Sequence, residues 1–322
     1  MAMYPKLPEP MPPLNSPEYV DLARQVAVKM GQAQKAPRTF SLAERRKAEK
    51  KYQRLLNRIL QEIDKKLAAC ADPALIPSTI QGIINSPQFT SLCTEAARQM
   101  VTMLAVGQKS SWREAAKVSS QGRRIYKALM NELASTSIGP AIASTVQQNA
   151  ALIKTVPQTL ARRFTALAEK RRFEGVRPEE IMQEIQAKAP HLREFEARRI
   201  ARTESAKAST ALIQARSESL GLDFYTWLSV EDERVRDAHR AMDGIICRWS
   251  DPPNPEALFG GHDSGAPYHP GCIYNCRCRA RPVLALEDIK FPAKVHVAGR
   301  IVTVKTLSAF RKLFNLPDEK GG

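Results

Sequence analysis

From Tyr19 to about Ser219 the apolar residues return every three or four positions, and beyond Gly221 they do not. That rhythm constrains the fold more than any other feature. Apolar side chains at this spacing line one stripe of an α-helix, and the stripe must be buried against other helices. Strands need alternation, so no large sheet fits within this stretch. The low aromatic content, 6%, with 15 glycines also argues against a large β-sandwich or barrel. Hydrophobic residues at 43% supply enough material for a real core. The sequence therefore predicts a mainly α fold, with long helices in the N-terminal half and a small α+β module towards the C-terminus.

Local punctuation divides the helical stretch. Residues 1–15 form a proline-rich arm (Pro5, Pro8, Pro10, Pro12, Pro13), suited to extended or irregular backbone. Ser16-Pro17-Glu18 reads as a cap, an N1 proline and a first-turn acid, followed by Tyr19, Leu22, Ala23, Val26 and Met30. Ser41 and Glu44 read as a capping box for a helix striped by Tyr52, Leu55, Leu56, Ile59, Ile63 and Leu67. Asp72-Pro73 and Ile76-Pro77 break the pattern. Residues 88–150 are rich in small side chains and predict two or three close-packed helices, with a second capping box at Ser111 and Glu114 and a break at Gly139-Pro140. Gly175 to Pro178 predicts a turn into a new helix, and residues 193–219 read as one long amphipathic helix.

Past Gly221 the grammar changes. Phe224–Leu228, Ile245–Trp249 and Cys276–Leu284 are strand candidates, and Ser229 and Asp232 read as caps of a short helix that stops at Gly244. Between the second and third strands lies a long loop, residues 250–275, rich in Pro, Gly, Asp and Asn. The expected organisation is an arm at 1–15, a helical domain at 16–155, a further domain at 156–284 that contains the α+β module at 222–284, and a basic tail at 285–322.

The formal net charge is +16, which bears on partners and not on fold. One helix face carries Arg45, Arg46, Lys47, Lys50, Lys51, Arg54 and Arg58, and a second cluster comprises Arg162, Arg163, Lys170, Arg171 and Arg172. Such rows either face solvent or bind a polyanion by releasing its counterions. Other classes are excluded by composition. The longest apolar runs, such as Val101 to Val106, are too short to span a bilayer. The first residues lack the apolar run of a secretory signal, and six cysteines are too sparse for a disulfide scaffold.

Chemistry-bearing residues concentrate in 229–282. Asp232, Arg236, His239 and Asp243 stand at i, i+4, i+7 and i+11, one face of a helix. His269, Cys272, Cys276 and Cys278 follow, and with His239 they offer five borderline or soft ligands of which zinc would take four. The spacing leaves three states open: a structural zinc site, reduced thiols, or a loop disulfide. The Asp–Arg–His–Asp face likewise reads either as a lock of ion pairs or as the site of a metal-dependent nuclease or hydrolase using Asp232, His239 and Asp243. No P-loop, nucleophile elbow or HExxH is present.

The ordered series Arg202-Thr203-Glu204, Trp227, Asp232 to Arg236, His239 to Gly244, His269-Pro270 and Asn275 to Cys278 resembles the C-terminal domain of phage Mu F-like minor head proteins, the phage head morphogenesis family. The resemblance covers roughly residues 160–284. It implies a non-enzymatic minor capsid component of a tailed phage or prophage. Such a component sits inside the head at the portal vertex, in multiple copies or as an oligomer, against portal protein, other head proteins and packaged double-stranded DNA, and in some cases leaves with the genome. It further implies assembly in the host cytoplasm without a membrane. The family residues carried over are Arg202, Glu204, Asp232, Arg236, His239, Asp243, Gly244, Cys276 and Cys278. Gly271 to Tyr274, with Cys272, depart from the pattern as an insertion. A DNA-binding packaging role for the basic helices is the further alternative.

Overall fold

The computed structural model describes residues 42–131, 139–230, 232–261 and 265–317. The proline arm, the helix expected after Ser16 and Ser41 of the first capping box lie outside these residues.

Among the described residues, six helices make the body: α1 (Leu42–Ala68), α2 (Ile76–Ile84), α3 (Pro87–Ala116), α4 (Gly122–Asn131), α5 (Gly139–Phe173) and α6 (Pro178–Ser219). The stripe on α1 does what its spacing dictates. Tyr52, Leu56, Leu60, Ile63 and Leu67 reach zero exposure in one core shared with α2, α3, α5 and α6. A short 3-10 turn, Pro73–Leu75, precedes α2, and the Asp72 carboxylate accepts from Ala74 N at 2.9 Å to start it. Ser86 caps α3, with Pro87 in its first turn.

Helix α3 passes straight through Ser111 and Glu114, so no second capping box exists there. The Ser111 hydroxyl is instead spent on a tertiary contact, donating to Glu44 Oε2 of α1 at 3.1 Å. Both α5 and α6 also continue through an internal proline, Pro157 and Pro190. Helix α6 ends where the rhythm predicted. Leu222 N donates to Ser217 O at 2.8 Å and Gly221 N to Glu218 O at 3.0 Å, with Gly221 at φ +67°. This double bond pattern needs a left-handed residue after the helix, the conformation glycine adopts without strain.

Beyond Gly221 five strands form one sheet: β1 (Phe224–Leu228), β2 (Ile246–Arg248), β3 (Arg279–Pro282), β4 (Ala293–Val297) and β5 (Arg300–Val304), in the order β3-β1-β2-β4-β5. Strand β1 is antiparallel to β2 and β3, β2 is parallel to β4, and β4 and β5 form a hairpin. Alternation along β1 splits the apolar residues between two cores. Tyr225 and Trp227 join Trp112 of α3 and Ile213 of α6, whereas Phe224 joins Val295, Val304 and Phe310.

The last strands correct the reading of 285–322 as a basic tail. Val295 and Val304 are buried in the sheet, and the helix Leu307–Leu313 returns Phe310 onto the ring of Phe224 at 5.1 Å. The apolar alternation from Val295 to Val304 is readable in the sequence and becomes β4 and β5, and the basic helix expected after it, with Arg311 and Lys312, follows them. Among the described residues no helix is long and apolar enough to cross a membrane.

Candidate functional site

The loop before β3 and a single-turn helix, α7 (Asp237–Ala241), bring three side chains together. The thiols of Cys276 and Cys278 meet the same ring. His239 Nδ1 lies 3.5 Å from Cys276 Sγ and 3.5 Å from Cys278 Sγ. All three residues are 2% exposed. The six cysteines are free, so the loop disulfide is not formed.

The far side of the imidazole is held by a phenol and a carboxylate. Tyr268 Oη donates to Glu256 Oε2 at 2.5 Å, since an ionised carboxylate can only accept. The phenol proton being used, Tyr268 Oη accepts from His239 Nε2 at 2.8 Å, with Glu256 Oε1 3.3 Å away. With Nε2 engaged on that side, Nδ1 faces the two thiols. Glu256 is placed by the helix α8 (Pro255–Phe259), capped by Asn254. Burial first, then the Glu256 hydrogen bond, raises the Tyr268 phenol above its ordinary range.

Backbone and side-chain donors surround the sulfurs. Gly271 N–H points at Cys276 Sγ at 3.4 Å. Gly271 itself has φ +88°, and a Cβ there would lie 3.1 Å from Thr210 Oγ1 and 3.2 Å from Cys278 O, so the loop needs glycine to dock on α6. The Cys276 thiol is held well below its ordinary pKa by the hydrogen bond from Cys278, and the same bond pushes Cys278 up. The Trp227 ring stands edge-on to His239 with centroids 5.7 Å apart.

Three more tethers fix the loop to the helical body. Arg45 of α1 donates to Cys278 O at 3.0 Å and to Arg277 O at 2.7 Å. Thr203 Oγ1 of α6 accepts from Asn275 N at 3.2 Å, and Thr210 Oγ1 donates to Pro270 O at 2.6 Å.

Arg45 corrects the nucleic-acid reading of the first basic face. It is 7% exposed and its guanidinium is consumed by backbone carbonyls, whereas Arg46, Lys47, Lys50, Lys51, Arg54 and Arg58 remain exposed. In the second cluster Arg162 and Arg172 are exposed, Arg163 pairs with Glu196 at 3.1 Å, and Arg171 pairs with Glu174 and Glu184.

The expected helix face of Asp232, Arg236, His239 and Asp243 does not form, because α7 covers only five residues. Asp232 sits in the preceding turn and pairs with Arg277, which lowers its pKa. Arg236 donates to Tyr274 O at 3.1 Å. Asp243 Oδ1 accepts from Ser229 N at 2.7 Å, so Ser229 is bonded by the loop after the helix and caps nothing. Each polar residue found a nearer backbone or ionic partner than the helix would have offered. Gly244 turns the chain into β2, its N–H donating to Trp227 O at 2.9 Å.

His269 and Cys272 lie outside the triad. His269 Nδ1 meets Tyr225 Oη at 3.0 Å, and burial depresses its pKa to about 4. Burial pushes the Cys272 thiol up to about 12. Arg202 approaches Glu49 at 3.5 Å, and Glu204 pairs with Lys207 at 3.1 Å. Sequence reasoning missed Glu256, Tyr268 and the role of Arg45. A loop glutamate and an arginine in a basic row carry no periodic signal.

Residues 143–281 match the model of a family described as phage Mu protein F like protein. This segment is phage Mu F-like. It contains most of α5, all of α6, β1 and β2, most of β3 and every member of the His239 cluster, while Arg45 is supplied from outside it. Over 85 residues the chain is 41% identical to an uncharacterized protein of Haemophilus influenzae, covering 26% of this chain and 17% of that protein. The chain thus spans less than a fifth of that relative's length. No solved structure matches the chain.

Proposed function

We propose that this chain is a structural, non-enzymatic minor component of a tailed-phage or prophage head, acting in head morphogenesis. The observation that carries this reading is where the Mu F-like residues spend their polar groups. Thr203, Asp232, Arg236, His239, Asp243, Cys276 and Cys278 all bond to other parts of the same fold. Used this way they brace the module, and His239, Cys276 and Cys278, each 2% exposed, are closed off from a substrate. The hydrolase reading required Asp232, His239 and Asp243 to share a position, and each is engaged elsewhere.

Within the virion this reading places the chain inside the head at the portal vertex, as an oligomer or in multiple copies, against other head proteins and packaged DNA. The exposed rows on α1 and at the end of α5 support the DNA contact, because six cations along α1 form a surface from which phosphates displace few other partners.

A phage or prophage carrying His239→Ala or Cys276→Ser tests the bracing role. The expected result is a lowered melting temperature of the purified chain and aberrant or non-infectious heads. Either variant giving unaltered melting and normal infectious particles overturns it. For DNA contact, binding measured across a salt series should weaken steeply, with several counterions released. A flat salt dependence replaces DNA by an acidic protein partner.

A further inference from the structure

We propose that His239 Nδ1, Cys276 Sγ and Cys278 Sγ hold a single zinc ion, with Glu256 and Tyr268 orienting the histidine from behind. This inference rests on local geometry alone and stands or falls separately from the phage-head reading.

Three observations converge on it. The first is distance. Zinc bonds of about 2.3 Å to sulfur and 2.0–2.1 Å to nitrogen, at tetrahedral angles, place ligand N and S about 3.5–3.6 Å apart. Both N···S separations here are 3.5 Å, and all three donor atoms lie within 4.8 Å of one another. The second is orientation. The Tyr268–Glu256 relay engages Nε2 and turns Nδ1 towards the two sulfurs. A carboxylate behind a histidine is the recurrent outer-shell partner of zinc-bound imidazole. The third is the donor set. Two thiols and an imidazole select a borderline or soft ion, not Mg²⁺ or Ca²⁺, which prefer oxygen. Gly271 N–H, directed at Cys276 Sγ, is the kind of donor that supports a metal-bound thiolate.

The main competitor is a catalytic Cys–His–Glu relay. It gives no reason for two sulfurs equidistant from one nitrogen. Its nucleophile would also have to be reached through residues that are 2% exposed. Two thiolates and Zn²⁺ sum to zero charge, which suits a buried site. One non-protein ligand completes the tetrahedron.

The experiment uses the full chain, purified without chelator. Metal analysis should find about one zinc per chain. Replacement by Co²⁺ should give the absorption of a tetrahedral ion bound to two thiolates. Cys272→Ser and His269→Gln should keep the stoichiometry, whereas Cys276→Ser and Cys278→Ser should lose it. Glu256→Gln should stay folded and bind about 10–100-fold more weakly, which keeps the test decisive if the cysteine variants do not fold. A folded wild-type chain that takes up neither Zn²⁺ nor Co²⁺ overturns the proposal. A Cys272→Ser chain that loses metal as fully as Cys276→Ser overturns this ligand set. Particle assembly reads out the head function, so the two failures are distinguishable.

Discussion

In the helical body, Leu56, Leu60, Ile63 and Leu67 reach zero exposure among other aliphatic side chains. Around β1, the buried residues include Arg45, His239, Glu256 and two thiols. The two regions are thus held by different physics. In the body, stability is spread over many contacts of similar kind, each non-directional and replaceable by another side chain of similar volume. At the cluster it depends on a few directional bonds in a low-dielectric setting, where a lost partner leaves a desolvated group behind. Sheet and helices meet at this second region, so a small number of polar residues decides whether the module docks.

That contrast can be broken most directly at Arg45. Arg45→Leu keeps apolar bulk but strips donors from the carbonyls of Arg277 and Cys278. At about 1–3 kcal/mol for each carbonyl left unpaired, the expected loss is about 2–6 kcal/mol in denaturant unfolding. A loss below about 1 kcal/mol would mean that water replaces the guanidinium, and the contrast would fail.

The body should answer differently according to volume. Leu60→Ala is expected to cost about 2–5 kcal/mol, because it opens a cavity. Leu60→Met should cost less than about 1.5 kcal/mol. Equal losses for the two substitutions would show a core as exacting as the cluster.

A smaller effect is expected from acid. The His269 pKa is depressed by burial from 6.5 to about 4, so the unfolded chain binds the proton first. Stability therefore holds above about pH 6.5 and falls as pH drops towards 4. Melting temperature measured over this window should decline, and His269→Gln should flatten part of the decline. An identical slope in the variant would assign the acid sensitivity to other groups.

Least affected should be the exposed row. Lys50→Gln and Lys51→Gln are expected to change stability by no more than about 0.5 kcal/mol, while reducing the salt dependence of DNA binding. Destabilisation well beyond this would show that the row packs against something.

Much of the body was legible because helical periodicity is local. Tyr52 to Leu67 announce their own stripe, and Gly221 ends α6 by a conformational rule that needs no neighbour. The first three strands were legible for the same reason. The capping box at Ser111 misled because a hydroxyl that could cap locally found Glu44 across the core. Likewise, Asp232 to Asp243 read as one helix face, and the chain folded each residue onto a separate partner.

By itself, then, the sequence determined the helical body, where it stops, and the chemical types gathered near residues 229–282, because composition and period act over a few residues. Only the tertiary structure decided that His239 meets Cys276 and Cys278 but not Cys272, that Glu256 and Tyr268 stand behind it, and that Arg45 leaves the basic row for two carbonyls. Those outcomes depend on separations of 12 to 233 residues along the chain. At such range a hydrogen bond is chosen by which groups packing brings within about 3 Å, and no local pattern encodes that choice.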